Sequence, residues 1–132
     1  MLPRLLLDTH VLVRWLFEDK KLSREQARVL EAAVRRAEPV ALSAVSLLEI
    51  AMLTNQGRLR TRVDEFFEEI QANPLFQVLP LSYEVALEVA SLGGNLRDPA
   101  DRAIVATARV HRLRLLTSDQ LIIDSKLVPV VA

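Results

Sequence analysis

Asp8, Glu49, Asp101 and Asp119 are the residues whose type and placement suit chemistry. Asp8 ends the apolar run "RLLLD", Glu49 lies in "LSAVSLLEIAML", Asp101 in "RDPADRAIVATA" and Asp119 in "LLTSD". If four carboxylates meet within about 5 Å, each pair repels by roughly 3 kcal/mol at an effective dielectric near 20. Such a set must hold protons or a cation. The chain has no Cys and only two His, so the ligands on offer are oxygens, which select hard divalent ions such as Mg²⁺ or Mn²⁺. Mg²⁺ keeps several waters beside one or two carboxylates, which suits phosphate chemistry. Held there, it activates water toward a phosphodiester and steadies the leaving oxygen.

Each acid also has a purely structural use. Asp8 suits the N-cap of a helix beginning at Thr9. Glu49 follows Ser46 at capping-box spacing. The helix begins nearer Ser43, however, which puts Glu49 between Val45 and Met52 on the side expected to be buried. An unpaired buried carboxylate is costly, so packing alone gives no reason for it. Asp98 precedes Pro99, and Asp at N-cap with Pro at N1 is a common helix opening; there the structural use prevails, with Asp98 supporting the site from the helix start. Asp101 then falls at N3, where the helix dipole favours a carboxylate. Yet it stands in register with Ile104, Val105 and Ala108, the apolar face. Asp119 suits a turn after a strand.

The elements that must position these acids follow from periodicity. "RLLLD" reads as a strand buried on both faces. A helix follows from Thr9, with Val11, Trp15 and Leu16 on one face. Ser23 and Gln26 form a capping box opening a helix to about Ala37, stopped by Pro39. "VALS" (40–43) is a strand, followed by a helix from Ala44 to Asn55 that closes near Gly57. "RLRTR" is a basic loop, "VDEFFEEIQA" an amphipathic helix and "FQVLPL" a strand. Ser82 caps a helix to about Leu92, and Pro99 opens another to about His111. "LRLLTSD" is a fourth strand and "LVPVV" a short fifth. Strands alternating with helices predict a three-layer α/β/α sandwich around a mostly parallel sheet of four to five strands, as one domain over residues 1–132. In such sheets ligands bind outside the carboxyl ends of the strands, where all four acids would stand.

Composition agrees with a packed core. The 132 residues are 51% hydrophobic and 5% aromatic, and 17 basic residues balance 17 acidic ones. Zero net charge supplies no global field for nucleic acid. No apolar run approaches a membrane span and no signal peptide is evident, so the expectation is a cytoplasmic protein without a membrane segment. Fourteen of the 17 basic residues are Arg, a side chain suited to bidentate contact with phosphate.

The segments "LLLDTHVLVRWL", "LSAVSLLEIAMLTNQGRL", "RDPADRAIVATA" and "LLTSD", in this order and spacing, closely resemble the PIN-domain ribonucleases of the VapC toxin type. The resemblance covers nearly the whole chain. It implies a Mg²⁺- or Mn²⁺-dependent endoribonuclease whose four site acids match Asp8, Glu49, Asp101 and Asp119, with Thr117 at a supporting hydroxyl position. It also implies an RNA substrate, a homodimer, and a cognate antitoxin that inserts a basic side chain into the acidic pocket. Leu53 and Leu96 stand where relatives often carry Lys and His.

Arg58, Arg60 and Arg62 are candidate contacts for RNA phosphates, against a default of a solvated loop. His10 is a candidate ligand or base, against a default of a packed or solvated side chain. A phospho-acceptor receiver domain would need an acid ending the third strand, where "FQVLPL" runs into Ser82. A "DxD" phosphatase would need an acid at His10. A PIN-like module that binds without catalysis is the remaining alternative.

Overall fold

The structure, a computed structural model, describes residues 1–132. Five strands form one sheet: β1 (Leu5–Leu7), β2 (Val40–Ser43), β3 (Phe76–Leu79), β4 (Arg114–Leu116) and β5 (Val130–Val131). Their order is β3-β2-β1-β4-β5 and every pairing is parallel. Parallel neighbours require crossover connections, and helices supply them. α1 (Thr9–Phe17) and α2 (Arg24–Arg35) join β1 to β2, with a 3₁₀ turn at Asp19–Lys21 between them. α3 (Ala44–Asn55) and α4 (Val63–Ala72) join β2 to β3, α5 (Tyr83–Ser91) and α6 (Pro99–His111) join β3 to β4, and α7 (Gln120–Ser125) joins β4 to β5.

The pleat sends alternate side chains to opposite faces, and the central strands are apolar on both. Leu6, Ala41 and Leu115 enter one core with Val85, Ile104, Val105 and Ala108 from α5 and α6. Leu5, Leu7, Val40, Leu42 and Leu116 enter the other with Val11, Leu12, Leu30 and Phe66 from α1, α2 and α4. This is the expected three-layer sandwich.

The strand order also fixes the site. The chain moves one way from β1 to β2 and β3, then returns to the other side of β1 with β4. The crevice between the carboxyl ends of β1 and β4 is therefore a topological switch point, where open α/β sheets bind ligands. Asp8 follows β1 directly, and Thr117 and Asp119 follow β4.

Local signals set most boundaries. Ser23 and Gln26 make both capping-box bonds. Ser43 caps α3 by accepting from the Val45 N–H, so Glu49 is not part of a capping box. Gly57 lies past the end of α3 at φ +71°, a backbone that favours glycine. α2 stops at Arg35, two residues short of the expected end, because Ala37 turns left-handed (φ 52°) ahead of Pro39. Two expected inward faces differ. In α1 the buried stripe is Val11 and Leu12, and Trp15 is half-buried edge-on to Phe76; Leu16 faces solvent. In α3, Met52 is 50% exposed, so Glu49 faces the crevice rather than the core. No helix is long and apolar enough to cross a membrane.

Candidate active site

Asp8 is buried, with 4% of its surface exposed. Its position is fixed from three sides. The Asp8 N–H donates to the Leu116 carbonyl at 3.0 Å, continuing the β1–β4 ladder. Asp8 Oδ1 accepts from the Thr9 N–H at 2.7 Å, and Oδ2 accepts from the Thr117 hydroxyl at 2.8 Å. Burial pushes the Asp8 carboxyl above the usual range, and Asp119 adds to this; the Thr117 bond, the nearby His10 and the Thr9 N–H pull against it.

Thr117 serves two acids. While its hydroxyl donates to Asp8, its oxygen accepts from the Asp119 N–H at 3.1 Å. Asp119 Oδ1 in turn accepts from the Leu121 N–H at 2.9 Å, which makes it the N-cap of α7. Glu49 is held by α1: Thr9 Oγ1 lies 2.5 Å from Glu49 Oε1 and 2.8 Å from Ser46 Oγ. With one proton to give, Thr9 donates to the carboxylate and accepts from Ser46.

Asp101 occupies the first turn of α6, half-buried above Ile104, Val105 and Ala108, which are fully enclosed. Asp98 caps the helix by accepting from the Asp101 N–H at 2.9 Å. Burial pushes the Asp101 carboxyl up to about 7, followed by the charges of Asp98, Asp8, Asp119 and Glu49. The acids gathered from four stretches of sequence thus share one electrostatic field. None of them forms an ion pair with Lys or Arg; the ion pairs of the chain lie elsewhere. They do not converge on a single point, for no three of the acidic and histidine side chains form a ready-made ligand set.

A family model described as PIN domain matches residues 5–124. The chain belongs to the PIN-domain family. Ribonuclease VapC22 of Mycobacterium tuberculosis (strain ATCC 25618 / H37Rv) is 32% identical over 116 residues, 87% of this chain and 86% of that protein. The crystal structure of FitAcB from Neisseria gonorrhoeae superposes with a TM-score of 0.71 at 25% identity, covering 97% of this chain and 96% of that one. A toxin–antitoxin complex from Klebsiella pneumoniae shares the fold, with a TM-score of 0.65 at 22% identity over 96% and 95% of the two chains.

The donor chemistry of this PIN site fits a hard divalent cation. The acids and the threonines that hold them offer carboxylate and hydroxyl oxygens, and the acids lack a protein cation to neutralise them.

The three arginines of the basic loop part company. Arg58 lines a groove of about 220 Å³ that begins at Thr9 and Glu49, with His10 and Gln56 on its walls. Arg60 is exposed. Arg62 is engaged by its own helix, 3.7 Å from Asp64 and 3.5 Å from Glu65.

Two positioning residues carry little signal in the sequence. Gln26 is fully buried. Its Nε2 donates to the carbonyls of Thr117 (3.3 Å) and Val131 (3.2 Å) and to Ser118 Oγ (3.2 Å), so α2 holds the loop that carries Thr117 and Asp119. What marks it is a polar residue in register with Leu30 and Ala33 on the buried stripe of α2. Arg102 donates to the carbonyls of Val89, Leu92, Gly93 and Leu96. It thereby ties the end of α5 and the following loop to the turn that presents Asp101.

Proposed function

We propose that this chain is a metal-dependent endoribonuclease and the toxin of a type II toxin–antitoxin pair. The observation that carries the reading is that Asp101 stands in the field of Asp98, Asp8, Asp119 and Glu49, with no Lys or Arg paired to any of them. The ribonuclease named among its relatives supports the activity. Mg²⁺ or Mn²⁺, when bound, supplies Lewis acidity toward a phosphodiester oxygen and a water of lowered pKa.

The chain's own groups do the positioning. Asp8, Glu49, Asp101 and Asp119 hold the ion and orient water. Thr117 fixes Asp8 against Asp119, and Thr9 fixes Glu49. Asp98 and Pro99 set the start of α6 and with it the height of Asp101. Arg58, on the wall of the adjoining groove, meets an RNA phosphate. The same negative field receives a basic side chain of an antitoxin, which silences the site by taking the cation's place. Tyr83 and Leu87, one turn apart on α5 and 94% and 75% exposed, offer an apolar face for the homodimer, to be checked by light scattering.

The test is cleavage of structured RNA. Wild type is expected to cut with Mg²⁺ and to stop in EDTA, and Asp8→Asn is expected to be inactive with its fold intact. Equal cutting by wild type and Asp8→Asn would refute the site. RNA binding without cutting would make the protein a binding module instead.

A further inference from the structure

Arginines collect at the end of the sheet opposite the acids. Arg4 precedes β1 and Arg114 opens β4, and the two strands are neighbours: the Arg114 N–H donates to the Arg4 carbonyl at 3.0 Å. Arg28 lies on α2 and Arg36 follows it. These four arginines, with Glu38, line a single groove of about 270 Å³.

Their partners differ. Arg28 is bound by both carboxylate oxygens of Glu25, one turn earlier on α2. Arg4, Arg36 and Arg114 have no ion-pair partner, and Glu38 pairs with none of them. Arg114 also stands in the field of Glu25, and with Glu38 as the one carboxylate on the groove, Arg4, Arg36 and Arg114 still leave a local positive excess in a chain of zero net charge. Like charges at such spacing repel, and Arg is the side chain that meets phosphate through a planar fork. Leu5, Val29, Ala32 and Ala33 make up the apolar part of the lining, and Glu38 is the one carboxylate among the lining residues.

We propose that this groove is a second RNA-binding site, in which Arg4, Arg36 and Arg114 grip backbone phosphates of a substrate whose scissile bond lies at the acidic edge. This rests on the ribonuclease reading above. The groove lies at the opposite ends of β1 and β4 from the acids, so one RNA engages both by following the protein surface around the sheet. The groove contributes to capture of substrate and takes no part in bond breaking.

The test separates capture from chemistry. Binding of a structured RNA is measured by fluorescence anisotropy in EDTA, where cutting stops, across a range of salt. Wild type is compared with Arg36→Gln and with the triple variant Arg4→Gln/Arg36→Gln/Arg114→Gln. The triple variant is expected to bind about tenfold more weakly with a shallower salt slope, by about 0.7–0.9 for each phosphate no longer neutralised. Arg36→Gln, which lies outside the strands, is expected to show a smaller change in the same direction. With Mg²⁺, KM should rise while kcat holds. Unchanged affinity and salt slope in both variants would overturn the proposal while leaving the nuclease reading intact. RNA bound through these arginines by a wild type that never cuts would overturn that reading and leave the groove standing.

Discussion

The Thr117 hydroxyl donates to Asp8 Oδ2 at 2.8 Å, joining two residues 109 positions apart. That bond spans the switch point between β1 and β4 and fixes the most buried acid of the site. Thr117→Val keeps the shape but removes the donor to Asp8 and the acceptor for the Asp119 N–H. Loss of a hydrogen bond to a buried charged group costs about 2 kcal/mol. The variant is expected to lose that much stability in urea unfolding and to bind Mn²⁺ at least tenfold more weakly, as loss of a supporting partner commonly does.

Gln26 acts one step further out. Gln26→Met preserves volume but leaves the carbonyls of Thr117 and Val131 without their side-chain donor. Stability should fall by about 1–3 kcal/mol. Mn²⁺ affinity, measured by calorimetry well below the melting temperature, should also fall. Ile70→Val, a comparable destabilisation in the core remote from the crevice, should leave that affinity unchanged.

The acid cluster makes stability depend on pH in a definite direction. Asp101 titrates at about 7 in the folded protein against 3.8 as its ordinary value. A raised acid contributes stability that is fully present below the ordinary value and is lost as pH rises through the folded one. Asp8, also raised, acts in the same direction. In EDTA the protein should therefore lose stability between about pH 4 and 7. Asp101→Asn should flatten that loss, gaining on the order of 1 kcal/mol at pH 8 once solvent screening of this half-exposed group is allowed for. With Mn²⁺ present the trend should reverse, because the cation binds the deprotonated form. Melting curves across pH, with and without the metal, check both signs.

Arg58 and Arg62 should behave differently although both belong to the basic loop. Arg58 borders the groove beside Glu49, whereas Arg62 faces Asp64 and Glu65. Arg58→Gln should raise KM for RNA and reduce the salt slope by about the share of one phosphate. Arg62→Gln should do neither.

Much of this arrangement was legible in the sequence. The bounds of β2, α3, α4 and α6 fall where caps, Pro and Gly place them, since Ser43, Asn73-Pro74, Asp98-Pro99 and Gly57 each act locally. The short apolar runs identified a parallel sheet, and the sheet implied one edge for all four acids. Less legible were features set by distant partners. α7 has six residues and closes on Lys126 at φ 55° without a Gly to announce it, so Asp119 read as a turn residue instead of a cap. Leu16 and Met52 suit an inward face by type, but no neighbouring layer covers them. Gln26 reads as half of a capping box, and its second task depends on β4 and β5, about a hundred residues away. Arg102 acquires its task only once the loop after α5 folds back onto α6 and brings four carbonyls between Val89 and Leu96 to its guanidinium.

The central claim is that Asp8, Glu49, Asp101 and Asp119 form one divalent-cation site. Mn²⁺ titration of wild type and of Asp8→Asn, Glu49→Gln, Asp101→Asn and Asp119→Asn, each confirmed folded by circular dichroism, tests it most directly. Saturable binding by wild type with a rise in melting temperature, and at least tenfold weaker binding by each variant, is the predicted result. No binding by wild type, or wild-type affinity in all four variants, would contradict it.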